Sequence, residues 1–384
     1  MEQKISLKKG AGLAAMFSVA SVLFGWHAGG GFATGNQAHQ FYVISGRLGP
    51  LSGILAMLLL TLTIRQAIIM YNQRKLSSYK ELFETLYHPL DRLEIVFEVY
   101  YYIMVIMATS SSIAGAGTLL EDAFGMSYIL SVVLVGVILL LLTMFGAGLV
   151  RSASSVMSVL ILLCAVIIFI TGIARKSGEI ARVLAAPGAA ESVPFAVLKS
   201  FQYAGFQCAS IPAMIGCCSV LKGDSDARGS MWISFAMNAV ALTLSVFMLL
   251  GWQSVYTAVE NGTTIPTLTV CKQIGVAPLV WAYYICLFLC FLSTGVSAIF
   301  GIANRFEHAG FLARGIQSSS VRRVIVSVVV MLISMGISFL GLTNIVRYGY
   351  GYCGYVGIAI IILPFLTVGV YKNRRYAAEH PEAS

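Results

Sequence analysis

Charged residues are scarce in this chain of 384 residues. Only 11% of the residues are Asp, Glu, Lys or Arg, whereas 58% are hydrophobic, and the mean hydropathy is +0.85. A typical soluble domain has about 25% charged residues. The scarcity therefore excludes an ordinary soluble fold and predicts that most of the chain lies in lipid.

The chain also lacks a basic domain and a paired-cysteine motif. Its net charge is +9, but the basic residues lie in short connections between apolar segments, where they indicate orientation in a membrane. None of the eight cysteines forms a CxxC pair, and most lie inside apolar segments. We expect no disulfides, no metal cluster, no resident cofactor and no nucleic-acid partner.

Apolar segments recur along the chain at the length that a membrane requires, which is about 20 residues per helix. We predict an all-α membrane protein with about ten transmembrane helices in a single domain, residues 1–384. The predicted spans are 11–46, 49–70, 93–118, 126–146, 154–174, 193–221, 230–252, 276–303, 322–341 and 346–371. Residues 71–92 have the pattern of an amphipathic helix on the membrane surface.

The basic residues predict the orientation of these spans. If the N-terminus is cytoplasmic, most of the 25 Lys and Arg residues fall in cytoplasmic connections. This bias predicts that both termini, and residues 71–92, are cytoplasmic. The connection that contains Arg175, Lys176 and Arg182 disagrees with the bias.

Three consecutive glycines, Gly29, Gly30 and Gly31, stand in the middle of the first span. Each weakens a helix by about 1 kcal/mol relative to alanine, and lipid cannot satisfy the backbone groups that a break exposes. The span is also too long for one crossing, which predicts two half-helices that meet at a joint. Close helix packing through small residues is the alternative interpretation.

The sixth span has a comparable irregularity around Gly205, with Pro212 downstream. Irregular helices at corresponding positions of two halves indicate a transporter with an inverted repeat. We predict a five-plus-five repeat, at about 11–175 and 193–371, with helices 1 and 6 discontinuous. Backbone N–H groups after Gly30 and Gly205 would then receive an anionic group such as a carboxylate.

The candidate substrate-binding residues surround these two irregular points. They are Ala28, Gly29, Gly30, Gly31, Tyr102, Tyr203, Gly205, Phe206 and Gln207. Tyr203 and Phe206 are the strongest candidates, because aromatic rings can close over an aliphatic, aromatic or cationic group.

The eighth span contains a hydroxyl pair, Ser293 and Thr294, one turn after the carbonyl of Cys290. Three oxygens on one helix face suit a small hard cation such as Na+. Carbonyls freed at the break, such as those of Gly25 and Ala28, would complete the ligands. The alternative is that the hydroxyls bond carbonyls of their own helix.

Two further residues are candidates for coupling to protons. His27 lies beside the break, and its unperturbed pKa is about 6.5; a packing histidine is the competing interpretation. Glu98 lies near the start of the third span, where it either responds to protons or pairs with Arg92.

Residues 29–37 read GGGFATGNQ. This stretch, in a first span followed by nine more, resembles the amino acid/polyamine/organocation superfamily. More narrowly it resembles the YkvI-like bacterial branch, whose first helix reads close to GAGFATGQE, and residues 350–357 are similar to the branch's tenth helix. The resemblance implies the LeuT-like fold and a bacterial inner membrane. Gln37 stands where the branch has an acid, so a coupling role of that carboxylate is lost.

The resemblance also implies Na+- or H+-coupled uptake of an amino acid or related amine. The family's sodium site maps onto Gly25, Ala28, Ser293 and Thr294, with Ser297 as an outlying candidate. Some proton-coupled relatives have a lysine inside the fifth helix. This fifth span has none, which favours Na+ over H+ as the coupling ion.

We therefore expect a secondary active transporter that couples Na+ to symport of an amino acid or related zwitterionic amine. Its partners would be this small solute and membrane lipid. The alternatives are a proton-coupled or uncoupled carrier of an organic cation or quaternary amine, and a channel or receptor. An enzyme is not expected, because an intramembrane base such as His27 or His39 has no nucleophile or metal ligands at suitable spacing.

Overall fold

The computed structural model describes residues 12–27, 29–185, 192–307 and 317–381, and helices dominate these ranges. The helices of the first half are α1 (Leu13–His27), α2 (Gly30–Ala33), α3 (Asn36–Phe41), α4 (Gly49–Gln73), α5 (Tyr79–Tyr87), α6 (Glu94–Phe124), α7 (Tyr128–Leu141), α8 (Ala147–Arg175) and α9 (Ser177–Ala185). Those of the second half are α10 (Val193–Gln207), α11 (Ile211–Cys217), α12 (Asp224–Thr257), α13 (Pro266–Ile274), α14 (Ala277–Glu307), α15 (Ser319–Ser338) and α16 (Leu342–Glu379).

Most of these helices are apolar and long enough to cross a membrane. Within the described ranges, seven helical runs have the length and the composition of a membrane span. An eighth results if Leu160–Arg175 and Ser177–Ala185, which are bent by 74°, count as one span. Two shorter apolar helices, Leu13–His27 and Tyr128–Met144, stand at the predicted first and fourth positions. Each of the ten predicted spans thus coincides with an apolar helix or helix pair.

The first span breaks at its glycines. Helix α1 ends at His27, α2 covers only four residues, and Gly35 takes a positive φ of 78° before α3 begins. A left-handed backbone favours glycine, and a Cβ on Gly35 would lie 2.4 Å from Oγ1 of Thr267. Helix α1 packs mainly against α12 and α11, whereas α2 packs against α14 and α6. The chain therefore changes its packing partners at the break.

The sixth span is also discontinuous, but not at Gly205. Helix α10 continues through Gly205 to Gln207, and a 3-10 turn, Cys208–Ser210, separates it from α11. A Cβ on Gly205 would lie 2.2 Å from the carbonyl oxygen of Gly354 in α16. The prediction of free N–H groups directly after Gly205 is therefore wrong. This glycine instead permits two helices to approach closely.

Residues 71–92 contain the predicted amphipathic helix, α5, but its apolar face lies on the protein. Its side chains Leu82, Phe83 and Leu86 are buried. The ring of Phe83 stacks on that of Phe97 in α6 with centroids 3.6 Å apart, and it also contacts Phe365 in α16. The expectation that this face rests on the membrane surface is therefore corrected: it packs between two spans.

Candidate functional site

The hydroxyl of Tyr203 joins both sides of the first-span break to the sixth span. Its oxygen is 2.8 Å from Nε2 of His27, at the end of α1, and it donates to Oε1 of Gln37 in α3 at 3.0 Å. Nε2 of Gln207 donates to the same oxygen at 3.2 Å. All four side chains are buried. The structure thus gathers four sequence-predicted residues around one atom.

The ring of His27 faces a second helix as well. Its Nδ1 is buried, and the side chain of Asn238 in α12 lies within reach of it. His27 is thereby placed between Tyr203 of the sixth span and Asn238 of the seventh.

Gly31 and Thr34 explain how the break is accommodated. A Cβ on Gly31 would lie 2.3 Å from Nε2 of Gln37, so a side chain at this position would have to displace the amide from its place beside Tyr203. Oγ1 of Thr34 donates to the carbonyl of Gly31 at 2.8 Å and accepts from the N–H of Asn36 at 3.1 Å. One hydroxyl therefore satisfies two backbone groups near the break, as a membrane interior requires.

An aromatic cluster surrounds Tyr203. The rings of Phe41, Tyr42 and Phe206 lie 5.3, 5.1 and 4.8 Å from its ring, measured between centroids. Phe206 also stacks on Tyr350 of α16, with centroids 5.0 Å apart. The two aromatics favoured by the sequence are thus neighbours, in a cluster built from the first, sixth and tenth spans.

Sequence reasoning chose Tyr102 from three consecutive tyrosines and missed Tyr100. The hydroxyl of Tyr100 donates to the carbonyls of Gly205 and Phe206 at 2.7 and 3.1 Å, at the interruption of the sixth span. The hydroxyl of Tyr102 instead accepts from Nε of Arg305 at 2.7 Å. The structure does not bring Tyr102 into the Tyr203 cluster. The sequence offers one signal for Tyr100: a tyrosine inside a span needs a hydrogen-bond partner for its hydroxyl, and freed carbonyls at a helix break are such partners.

Glu98 pairs with an arginine of the eighth span and not with Arg92. Its carboxylate contacts the guanidinium of Arg305, which also lies 4.8 Å from the ring of Tyr79 in α5. Glu98 itself is buried. The acid therefore belongs to a link between α6, α14 and α5.

Of the predicted cation ligands, Thr294 lies beside the break in the first span. A Cβ on Gly29 would lie 3.6 Å from Oγ1 of Thr294, so the break lies against the eighth span. Oγ1 of Thr294 donates to the carbonyl of Cys290 at 2.9 Å, which agrees with the alternative interpretation of this hydroxyl. A donating hydroxyl still has lone pairs for a cation. Ser293 beside it is half-buried.

The other predicted cation ligands are placed differently. Gly25 is exposed, and a Cβ on it would have no other atom within 4 Å. Ser297 is also exposed. Ala28 lies outside the described residues. The structure therefore joins Gly29 with Thr294 but does not bring Gly25 or Ser297 to them.

Asn36 fastens one end of the bundle. Its Nδ2 donates to the carbonyls of Thr263 and Thr264 at 3.0 and 3.1 Å and to Oγ1 of Thr343 at 3.0 Å. These partners precede α13 and begin α16, respectively. We call this set of contacts the Asn36 clasp. It joins α3 to the segment before α13 and to the start of α16.

Comparison with known families finds a match to the first half of the chain. A model described as the sodium:solute symporter family matches residues 11–202, which is half of the chain. No curated protein matches the chain.

Several solved transporter structures have a similar fold. A manganese transporter from Eremococcus coleocola has a TM-score of 0.56 and 15% identity, over 96% of this chain and 88% of that chain. A Na+-coupled sialic acid symporter in an outward-open state has a TM-score of 0.53 and 15% identity, over 92% and 86%. MhsT in complex with L-phenylalanine has a TM-score of 0.56 and 14% identity, over 86% and 87%. These matches confirm the predicted LeuT-like fold with its inverted repeat.

Proposed function

The chain belongs to the sodium:solute symporter family, and we propose that its solute is an amino acid or a related zwitterionic amine. It is a secondary active symporter of the membrane, with a small molecule as its solute. The proposal covers the class of solute, the residues that bind it and the site of Na+. It also places the protein in a bacterial inner membrane with both termini in the cytoplasm, and residues 29–37 suggest that it is a member of the YkvI-like branch.

The hydroxyl of Tyr203 carries the proposal. It is bonded on one side to His27 and on the other to Gln37, so it responds to any movement at the break between them. Oε1 of Gln37, which has a second lone pair beside the bond from Tyr203, suits an N–H of a solute ammonium. The rings of Phe206 and Tyr350 suit the apolar part of the solute. A charged head group and an apolar body are the two halves of a typical amino acid.

Na+ belongs between the break and the eighth span in this proposal. The hydroxyls of Ser293 and Thr294 and the carbonyls of Ala28, Gly29 and Cys290 would hold it, because hard cations prefer oxygen ligands. The contact between Gly29 and Thr294 supports this placement. Bound Na+ would fix the break against α14, and by reciprocal linkage it would raise the affinity for the solute.

Alternating access then requires the Asn36 clasp to open. On the predicted topology α3 lies on the outer side, so the clasp closes the outer pathway. Opening it must break the bonds from Asn36 to Thr263, Thr264 and Thr343. Release on the other side would follow movement of α1, which packs mainly on α12 and α11.

The direct test is uptake by purified protein in proteoliposomes. A panel of radiolabelled amino acids is offered with an inward Na+ gradient and, in parallel, with N-methyl-D-glucamine in place of Na+. We expect at least one amino acid to accumulate above equilibrium with Na+ alone. The panel also includes quaternary amines, because uptake of one of them would show that the aromatic cluster binds an organic cation instead. Uptake that is the same in both buffers across pH would refute Na+ coupling.

A further inference from the structure

A groove opens on the membrane face of the protein between the third, ninth and tenth spans. Its walls are α6, α15 and α16, its lining is almost entirely apolar, and its volume is about 920 Å³. Ligand pockets typically have about 300–1,000 Å³. Val99 and Leu340 at the groove are exposed, whereas Tyr100 and Cys353, which also line it, are buried. The groove therefore leads from the lipid-facing surface to the interior of the bundle.

The buried end of the groove lies against the interrupted sixth span. The hydroxyl of Tyr100 donates to the carbonyls of Gly205 and Phe206. Cys353 is followed by Gly354, whose carbonyl oxygen packs closely on Gly205. A molecule in the groove would thus touch residues that hold the sixth span in place.

The tenth span has an unusual backbone where it borders the groove. Residues Ile345–Tyr350 form a π-helical segment, and Ile345, Tyr348 and Gly349 of this segment line the groove. π-Helical turns are rare and are frequently found at functional sites. The ring of Tyr348 stacks on that of Tyr352, another lining residue, with centroids 6.4 Å apart. The segment therefore supplies one wall of the groove together with an aromatic pair.

A cation stands at one rim of the groove. The guanidinium of Arg347, in the π-helical segment, lies 5.5 Å from the ring of Tyr348. Arg347 is exposed near the start of the helical run Leu342–Glu379, and aromatic and basic side chains near span ends are typical of the level of the lipid head groups. An arginine binds a phosphate through two parallel hydrogen bonds. A phospholipid whose chain enters the groove would place its phosphate here.

Hydrocarbon is the medium that surrounds this face. The exposed lining residues belong to helices that have the length and the composition of membrane spans, and large exposed apolar surfaces mark contacts with a membrane or a partner. An acyl chain is far narrower than a helix, which is about 10–12 Å across. It can therefore reach Tyr100 and Cys353, of which only 3% and 7% are exposed. The backbone of a helix from a second copy of the chain would stay at the rim.

We propose that this groove is a binding site for one membrane phospholipid, whose acyl chain lies against Tyr100 and whose phosphate contacts Arg347. The proposal goes beyond symport of the solute and concerns the lipid alone. The bound chain keeps the ring of Tyr100 from swinging into the groove, and so preserves its bonds to the carbonyls of Gly205 and Phe206. The lipid thereby stabilises the sixth span.

Retention of lipid during purification tests the site. Protein washed in detergent is examined by native mass spectrometry for bound phospholipid in the natural chain, in Val99→Trp and in Val137→Trp. Both valines are exposed, 53% and 48%, but Val99 lines the groove and Val137 of α7 does not. We expect the natural chain and Val137→Trp to retain a phospholipid and Val99→Trp to lose it. Equal retention in all three proteins, or none in the natural chain, would overturn the proposal. Dimers of the natural chain that Val99→Trp converts to monomers without loss of lipid would overturn it as well.

The phosphate contact is tested by adding lipid back to protein from which lipid has been removed. Thermal unfolding in detergent is measured with phosphatidylcholine and with a diacylglycerol that has the same chains but no phosphate. We expect phosphatidylcholine to raise the midpoint more than diacylglycerol in the natural chain and in Arg347→Lys, and the two lipids to act equally in Arg347→Gln. Arg374→Gln, at an exposed arginine near the other end of α16, should behave as the natural chain. Equal effects of the two lipids on the natural chain would overturn the contact with Arg347.

Hydrogen exchange shows whether the lipid acts through Tyr100. We expect added phosphatidylcholine to slow the exchange of the backbone N–H groups at the interruption, Cys208–Ser210, in the natural chain. It should not do so in Tyr100→Phe, which keeps the ring in the groove but lacks the hydroxyl. Lipid that merely adheres to an apolar surface would not distinguish the two proteins. Equal slowing in both would therefore overturn the role assigned to Tyr100.

Discussion

The first and sixth spans are both interrupted, but their exposed backbone groups find partners in different ways. At the first break a local side chain, Thr34, bonds the carbonyl of Gly31 and the N–H of Asn36. At the sixth a tyrosine from another helix, Tyr100, bonds the two exposed carbonyls. The next two carbonyls, of Ala33 and Thr34, accept from Tyr283 of α14 and Thr267 of α13. The first break is therefore held partly by its own segment and partly by α13 and α14, whereas the sixth is fastened to α6.

This difference bears on how the two spans can move. Movement at the first break keeps the bonds of Thr34, which travel with the segment, but it must break the bonds from α13 and α14. The sixth span is held to α6 by Tyr100 and to α16 by the close backbone contact at Gly205. We infer that the first span, which keeps part of its bonds within itself, moves against a more rigid sixth span.

The largest effect is expected from Gly205→Ala. The new Cβ would lie 2.2 Å from the backbone oxygen of Gly354, which no side-chain rotation can relieve. Overpacking of this kind costs about 1–3 kcal/mol or more. Gly216→Ala is the matched control in the same span, because nothing lies within 4 Å of its Cβ. Thermal unfolding in detergent measures both, and equal midpoints would show that Gly205 is not a packing point.

Tyr203→Phe tests the connection between the two spans. It removes the hydroxyl that His27, Gln37 and Gln207 share, and each buried polar group left without a partner costs about 1–3 kcal/mol. We expect a lower thermal midpoint and loss of Na+-driven uptake. Tyr348→Phe, at an exposed position, should change neither. A fully active Tyr203→Phe variant would separate the hydroxyl from transport.

Tyr100→Phe should destabilise the protein by a smaller amount, because its hydroxyl has two partners and that of Tyr203 has three. The carbonyls of Gly205 and Phe206 would lose their bond to α6, which costs about 1–3 kcal/mol for buried groups. Hydrogen exchange of the backbone of α10 and α11 gives a local measure. We expect faster exchange there and little change in α2 and α3. Equal acceleration around both breaks would contradict the claim that the two are satisfied separately.

Lipid explains why the spans and the first break could be predicted from sequence. A membrane dictates helix length and forbids unsatisfied backbone, so apolar runs and three glycines are informative by themselves. The direction in which each side chain points cannot be predicted in this way. Tyr100 and Tyr102 are two residues apart, about 200° around a helix, and only the neighbouring helices decide which of them reaches the site.

The role of Gly205 and the position of α5 also depend on neighbouring helices. A glycine such as Gly205 is expected in a sequence both at a helix break and where two helices cross closely. Here the carbonyl of Gly354, which would touch a Cβ on Gly205, shows that it is a close crossing. The apolar face of α5 would look the same whether it met lipid or protein. Phe97, in the next long helix, and Phe365, far along the chain, supply the protein surface that it covers.

The most direct test of the account concerns Thr294, which lies against the break. Thermal stability is measured with and without Na+ in the natural chain, in Thr294→Val and in Thr118→Val. Thr118 is the control, because its hydroxyl also bonds a carbonyl of its own helix, that of Ala114, at 3.0 Å. The account predicts that Na+ stabilises the natural chain and Thr118→Val but not Thr294→Val. Equal stabilisation of all three by Na+ would contradict a cation site at the break.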